Sequence, residues 1–173
     1  MAALTPTGDM TNAEEDLRSL LAASSTFQAW VGATGTDEEK LAAAVARIYI
    51  DVEESPTRPC ACVRFDDPAD SRSRAVAGGS RQWFLGSGTL GVLFEAVVDD
   101  TLDDPADQMR AFKRTIDQVL SDMQALSGSG GYLIVNTFRM QEGPFRTGPT
   151  GALANDDVLQ ALVAVDYGLE GSA

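Results

Sequence analysis

The chain has 173 residues, of which 44% are hydrophobic and 23% are charged, a length and composition typical of one soluble globular domain. It contains no histidine, which excludes catalytic triads built on an imidazole and removes the commonest metal ligand. Its 26 acidic residues outnumber its 13 basic residues, and the resulting net charge of −13 opposes binding to the phosphate backbone of a nucleic acid.

Membrane and disulfide patterns are also missing from the sequence. No apolar run approaches the roughly 20 residues that a membrane-spanning helix needs, and the N-terminus lacks the basic and apolar regions of a signal peptide. The two cysteines are too few for a disulfide framework, which indicates a reducing compartment. We therefore expect a protein of a reducing compartment that makes no membrane contact.

The N-terminal part of the chain predicts helices. Residues 1–10 are small and polar, and we expect them to be frayed. Thr11 and Glu14 have the spacing of a capping box before an amphipathic helix. The next segment, "TFQAWV", predicts a helical turn that packs Phe27 and Trp30 against this helix. The apolar residues on one face of the first helix are Leu17, Leu20 and Leu21.

A second capping box marks the change from helices to strands. Thr36 and Glu39 repeat the spacing before the alanine-rich helix "EEKLAAAVAR". Strand-forming residues follow at 47–52 and again at 60–65. The composition of residues 66–80 predicts a long loop.

The segment "RQWFLGSGTLGVLFEAVVDD" predicts either two strands or one long strand bent or bulged at its glycines. Both faces of its second half are largely apolar, which is typical of a central strand. "GSGTLG" formally matches the glycine pattern of a dinucleotide-binding turn. That fingerprint requires a helix next, whereas "VLFEAVV" follows, so we interpret the glycines as part of the sheet.

A long amphipathic helix is the clearest predicted element. Asp103 or Asp104 caps it, Pro105 takes its first position and Gly128 lies just beyond its end. Apolar residues recur at spacings of three and four, so this helix should lie across one face of a sheet. These residues are Met109, Phe112, Ile116, Val119, Leu120, Met123 and Leu126.

Two further strands complete the fold prediction. They are expected at 132–140 and 158–168, separated by a long loop at 141–156. The fold class is therefore α+β: a single, mainly antiparallel (mixed) sheet, with the long helix and the shorter N-terminal helices on one face. We expect one domain over residues 11–173, with the long loops at 66–80 and 141–156.

Cys60 and Cys62 form the most conspicuous candidate site. Residues i and i+2 of a strand share a face, so the two thiols should stand side by side, with Ala61 and Val63 on the other face. A metal site would need further soft ligands, which a chain without histidine or more cysteines does not supply. We interpret the pair as buried, structural residues.

Acidic clusters and a long loop are the remaining candidates. The acidic clusters lack the spacing of a calcium loop, and no carboxylate pair is marked for catalysis, although a divalent-cation enzyme using residues 99–107 stays open. The loop 141–156 is either a disordered hairpin tip or a segment that contacts another molecule, with Phe145 as an apolar anchor and Arg146 as a charge partner. Arg139, in the preceding strand, joins them as a candidate interface residue. We predict no catalytic, cofactor-binding or metal residue.

The order of these segments carries a family resemblance. A leading helix, "TFQAWVGATG", an alanine-rich helix running into "ARIYI", and a "RPCACVRF" strand come first. The long amphipathic helix, another strand and the closing "LVAVDYGLEG" follow. From about Leu17 to Gly168, this arrangement resembles the tail terminator and tail-completion proteins from the neck of long-tailed phages and prophages.

The resemblance implies a structural virion protein with no enzymatic activity and no cofactor, assembled in the host cytoplasm and located in the tail or neck. Such subunits form a homo-oligomeric ring, usually a hexamer, that caps the tail tube protein and docks to the head–tail connector protein. Genomic DNA would pass through the lumen without specific binding, which suits an acidic chain.

Three other functions remain open at this point. The nearest is another neck component, such as a stopper or head-completion protein. The second is the small carboxylate or divalent-cation enzyme, and the third is a cytoplasmic binding module for a small ligand or peptide.

Overall fold

The computed structural model describes residues 13–50, 56–64, 71–77, 83–99, 105–127, 134–140 and 158–172. Four helices and six strands lie within these ranges. In chain order they are α1 (Ala13–Ala23), α2 (Ser25–Trp30), α3 (Asp37–Val45), β1 (Ile48–Ile50), β2 (Cys60–Arg64), β3 (Ser71–Ala77), β4 (Trp83–Val97), α4 (Pro105–Leu126), β5 (Ile134–Met140) and β6 (Val158–Ser172).

All six strands belong to one sheet, in the order β1-β2-β4-β6-β5, with β3 pairing separately with β4. β1 runs parallel to β2 and every other pair is antiparallel, so the sheet is mixed and mainly antiparallel, as the sequence predicts. β4 pairs with β2 and β3 on one side and with β6 on the other, which confirms its central place.

The described helices contact one face of the sheet and form the core with it. From β4 this face contributes Leu90, Val92 and Phe94, all almost fully buried. Trp30 lies where three elements meet: its ring centroid is 5.8 Å from that of Phe27, 6.2 Å from Phe94 and 6.0 Å from Phe112. The predicted helical turn is therefore confirmed. The Trp30 ring joins α2 to α4 and to the sheet, and α2 also packs against α1.

Helix starts follow the local sequence. The capping box at α3 is confirmed, because the Glu39 carboxylate accepts from Thr36 N at 2.7 Å and Thr36 Oγ1 accepts from Glu39 N at 3.3 Å. Pro105 is the first residue of α4, as predicted. The other predicted caps, Thr11, Asp103 and Asp104, lie outside the described residues, as does Gly128.

The start of α2 is capped from two places. Ser24 Oγ accepts from Phe27 N at 3.1 Å and donates to Asp122 Oδ2 of α4 at 2.9 Å. The same carboxylate accepts from Ser25 Oγ at 3.3 Å and from Thr26 N at 3.0 Å, while Gln118 Nε2 donates to Asp122 Oδ1 at 3.2 Å. A side chain of the long helix thus completes the cap of a short helix far away in the sequence.

One prediction about the sheet is wrong, and another is resolved in favour of one of its alternatives. The loop expected at 66–80 contains the strand β3, because β2 pairs with β4 only from Gly91 to Glu95 and leaves the backbone groups of β4 residues 83–89 to another partner. For the segment with "GSGTLG", the alternative of one long strand is confirmed: β4 keeps an unbroken register with β6 from 83 to 97, without a bulge, and the register shift lies in β5 between Val135 and Thr137. The segments 1–10 and 141–156 lie outside the described residues.

Candidate functional site

The sheet face opposite the helices, here called the second face, carries both cysteine thiols and the carboxylate of Glu95. The register aligns Tyr49 with Cys62, Cys62 with Leu93, and Leu93 with Leu162, so one row crosses four strands from β1 to β6. Next to this row the register aligns Cys60 with Glu95, and Glu95 with Gln160. These residues alternate along their strands with core residues, which places them on the face away from the helices.

A small pocket of about 210 Å³ opens on the second face. Both thiols, Tyr49, Pro56 and Leu93 supply its largely apolar lining, and Arg58 and Glu95 add a charged pair. Pockets for drug-sized ligands usually measure about 300–1,000 Å³. The volume therefore suits one side chain or a very small molecule.

The charged pair in this pocket is closely bonded. Arg58 Nε lies 2.9 Å from Glu95 Oε2, and Gln160 Nε2 donates to Glu95 Oε1 at 2.6 Å. The side chain of Glu95 is only 10% exposed, so both of its oxygens are held within the protein. A carboxylate with both oxygens occupied and its charge paired is poorly placed to take a proton from a substrate.

The segment that carries Arg58 is fixed from several directions. Arg47 Nη1 donates to the carbonyl oxygens of Thr57 and Arg58 at 3.2 Å and 3.3 Å, and Thr57 N donates to Tyr49 Oη at 3.1 Å. The Arg58–Pro59 peptide bond is cis. The hydrogen bonds from Arg47 and to Tyr49 hold residues 56–59 in place, so that Pro56 and the guanidinium group of Arg58 line the pocket.

The two thiols are buried, as the sequence predicts, with exposed fractions of 1% for Cys60 and 7% for Cys62. Burial raises the pKa of Cys60 to about 11, and the nearby Glu95 carboxylate acts in the same direction. The thiolate is the reactive form of cysteine, and a thiol with this pKa stays protonated at neutral pH. Cys60 therefore behaves as a small apolar residue of the sheet.

Of the carboxylates considered for a cation-dependent enzyme, the structure describes Asp99 and Asp107. The backbone of Asp99 is held by Gln108, which accepts from Asp99 N at 2.9 Å and donates to Asp99 O at 2.8 Å. Asp107 pairs with Arg110 at 2.7 Å on the exposed side of α4. Within the described residues, no group of three or more histidine, cysteine, aspartate or glutamate side chains is arranged to hold a metal ion.

The three interface candidates from the sequence are only partly placed. Arg139 lies in β5 opposite Ala164 of β6. Phe145 and Arg146 lie outside the described residues, so their role stays a prediction.

The Arg58–Glu95–Gln160 cluster was missed by the sequence reasoning. Its members are separated by 37 and 65 positions, so no local spacing connects them. One signal was present: Glu95 is a lone acidic residue within the apolar strand "VLFEAVV". A charge at a central strand position needs a partner, and that requirement points to a basic residue on a neighbouring strand or loop.

The comparisons with known proteins add no relative to this description. Among the helices within the described ranges, none is long and apolar enough to cross a bilayer. A scan against protein-family models finds no match, and a search among curated proteins finds no significant similarity.

Proposed function

We propose that this chain is a structural virion protein, a tail terminator that assembles into a homo-oligomeric ring, closes the tail tube and docks to the head–tail connector. Support comes first from the order of elements on which the resemblance rests. Three short helices, four strands, one long helix and two further strands follow one another, an order that differs from the expected one by the additional strand β3.

The second face is the observation that carries the proposal. The described helices cover the other face, while the second face carries Tyr49, Leu93 and Leu162, each partly exposed, in the cross-strand row that also holds the buried Cys62. At its end Val97 is 50% exposed. A partly exposed apolar surface on a rigid sheet is a favourable docking surface for another protein, and we assign it to the end of the tail tube.

The chemistry of the pocket and the charge of the chain agree with a passive role. The raised pKa of Cys60 keeps its thiol in the unreactive, protonated form, and Glu95 is bonded to both Arg58 and Gln160. The net charge of −13 keeps DNA from adhering to a ring through which it must slide.

Solution mass and tube binding test this function together. The purified chain should form a closed ring, measured by light scattering and seen in negative-stain images, and the ring should bind the ends of tubes assembled from the tail tube protein. Val97→Asp should leave the ring intact and weaken tube binding at least about tenfold, because it places a charge in the docking surface.

Ile50→Asp is the matched control, since Ile50 is also partly exposed, at 38%, but pairs with Val63 of the core face. It should bind tubes as the parent does. A chain that stays monomeric at every concentration, or a Val97→Asp ring that binds tubes normally, would contradict the proposal.

The pocket favours one second candidate, a binding module for a small ligand. Its lining combines apolar groups with an ion pair, and its volume would admit one amino-acid side chain. Saturable binding of a small molecule by a strict monomer, lost in Leu93→Trp, would support this alternative. A ring that binds the head–tail connector but not the tail tube would instead indicate a stopper.

A further inference from the structure

The exposed side of α4 carries a basic cluster in an otherwise acidic protein. Arg110, Lys113 and Arg114 lie within four positions, so they are neighbours on the helix surface. The side chain of Arg110 is 62% exposed, and Arg114 is also exposed. Arg110 is paired with Asp107 of its own helix at 2.7 Å, and Asp117 is exposed one turn further on, so this surface carries both signs with an excess of one positive charge, in a chain that has twice as many acidic as basic residues.

The start of α3 carries the opposite charge. Asp37 and Glu38 are both exposed at the first positions of the helix, and the Asp37 side chain is fully accessible although Lys40 lies 3.5 Å away. Glu39, the next acidic residue, bonds Thr36 in the capping box and is turned toward its own helix. Asp37 and Glu38 therefore present their charges outward.

The helices that carry these two clusters lie on opposite sides of the helical layer. α1 and α2 each pack against both α3 and α4, so they lie between them. A rotation that repeats in one direction brings the basic side of one copy to the acidic side of the next, which is the head-to-tail contact of a ring.

We propose that the basic cluster of α4, Arg110, Lys113 and Arg114, docks on the acidic start of α3, Asp37 and Glu38, of a second copy of this chain. Charge complementarity within one chain identifies the second copy as the partner. This inference rests on the proposed ring-forming function and adds to it the surfaces that join neighbouring subunits.

Charge reversal on each side, alone and combined, tests the contact. Arg110→Glu with Arg114→Glu lowers the net charge by four units, Asp37→Lys with Glu38→Lys raises it by four, and the combined four-site variant keeps the parental −13. Sedimentation velocity would measure the association constant of each variant in about 0.05 M and 0.5 M salt. We expect each two-site variant to lose at least about tenfold and the four-site variant to recover within about threefold, since the reversed charges again face each other.

The two two-site variants together control for an effect of net charge, because they change it in opposite directions. If net charge alone governed assembly, the more acidic variant would associate less and the less acidic variant would associate more. The proposed contact predicts that both associate less. The contact also predicts that about 0.5 M salt weakens the parental ring, because exposed ion pairs are screened over a few ångströms.

Milder changes guard against misfolding. Arg114→Gln and Glu38→Gln remove one charge on each side, and both should weaken association while leaving the circular dichroism spectrum unchanged. If the parent forms a ring and the two-site variants assemble as well as the parent, or follow net charge, the contact is overturned while the ring function stands. If the parent is monomeric at every concentration, both proposals fail.

Discussion

Replacing Asp122 should uncouple α4 from the start of α2. Its carboxylate accepts hydrogen bonds from the side chains of Ser24 and Ser25, the backbone of Thr26 and the side chain of Gln118. Asp122→Ala removes all of them at once. The variant also leaves Ser24, which is fully buried, without its acceptor.

The size of the effect follows from the type of bond. Hydrogen bonds to a charged group contribute about 1.5–3 kcal/mol, and loss of a helix cap costs about 1 kcal/mol. Asp122 is only half-buried, so the lower part of the range applies. We expect Asp122→Ala to lower the free energy of unfolding by about 2 kcal/mol and Asp122→Asn by about 1 kcal/mol.

Low pH should reduce the difference in unfolding free energy between the parent and Asp122→Asn. Burial of Asp122 acts to raise its pKa, but the hydrogen bonds from Thr26, Ser24 and Gln118 outweigh it and lower the pKa to about 2. A carboxyl whose folded pKa lies below the unfolded value stabilises the protein above about pH 4, and this contribution is lost as the pH falls through 2. The stability difference between the parent and Asp122→Asn should therefore shrink over that range.

Urea unfolding, followed by circular dichroism at pH 7 and at steps down to pH 2.5, measures these differences. Asp117→Ala is the matched control, because it makes the same change in helix propensity at an exposed position of α4 and should stay within about 0.5 kcal/mol of the parent. Equal stabilities of Asp122→Ala and Asp117→Ala at pH 7, or a difference that does not change with pH, would refute the reasoning.

Three further outcomes are expected. Phe94→Ala should cost about 3–5 kcal/mol in urea unfolding, because it opens a cavity beside Trp30 in the core; a loss below 1 kcal/mol would contradict the aromatic packing. Asp16 is 4% exposed, and its burial, together with the nearby Glu15 charge, raises its pKa to about 6. Because the folded state binds this proton more tightly than the unfolded state, the parent should lose stability as the pH rises from 4 to 6. Asp16→Asn should remove that loss, worth about 1–3 kcal/mol, and an unchanged pH profile would argue against it. In Cys62→Ala, the Cys60 thiol should react with a disulfide reagent at pH 8 roughly a hundredfold more slowly than in urea, and equal rates would show that it is not held in its protonated form.

The parts of the fold that depend on local pattern were predictable. α4 follows from apolar residues at helical spacing after Pro105, and α3 from the spacing of Thr36 and Glu39. The alternation of Cys60 and Cys62 with Ala61 and Val63 assigned the two faces of β2 correctly. In each case the signal lies within a few residues, where helix caps and side-chain period act.

The features that depend on residues far apart in the sequence were not predictable. β3 has the sequence "SRSRAVA", which lacks an apolar alternation, and it is a strand because β4 offers it backbone partners. The pairing of Glu95 with Arg58, and the capping of α2 by Asp122, likewise join residues that no sequence spacing connects. Such contacts are fixed by tertiary packing alone.

The cap that Asp122 provides also bears on the order of events during synthesis. α2 has six residues, too few to persist as an isolated helix, and its capping carboxylate is made 98 positions after Ser24. At about 5–20 residues per second, a ribosome needs roughly 5–20 s to reach it. During that interval α2 lacks two packing partners, the Asp122 carboxylate and the Phe112 ring, because both belong to α4. The native cap of α2 can therefore form only after α4 has been synthesised, and the same holds for the surface of the helical layer that would meet a neighbouring copy.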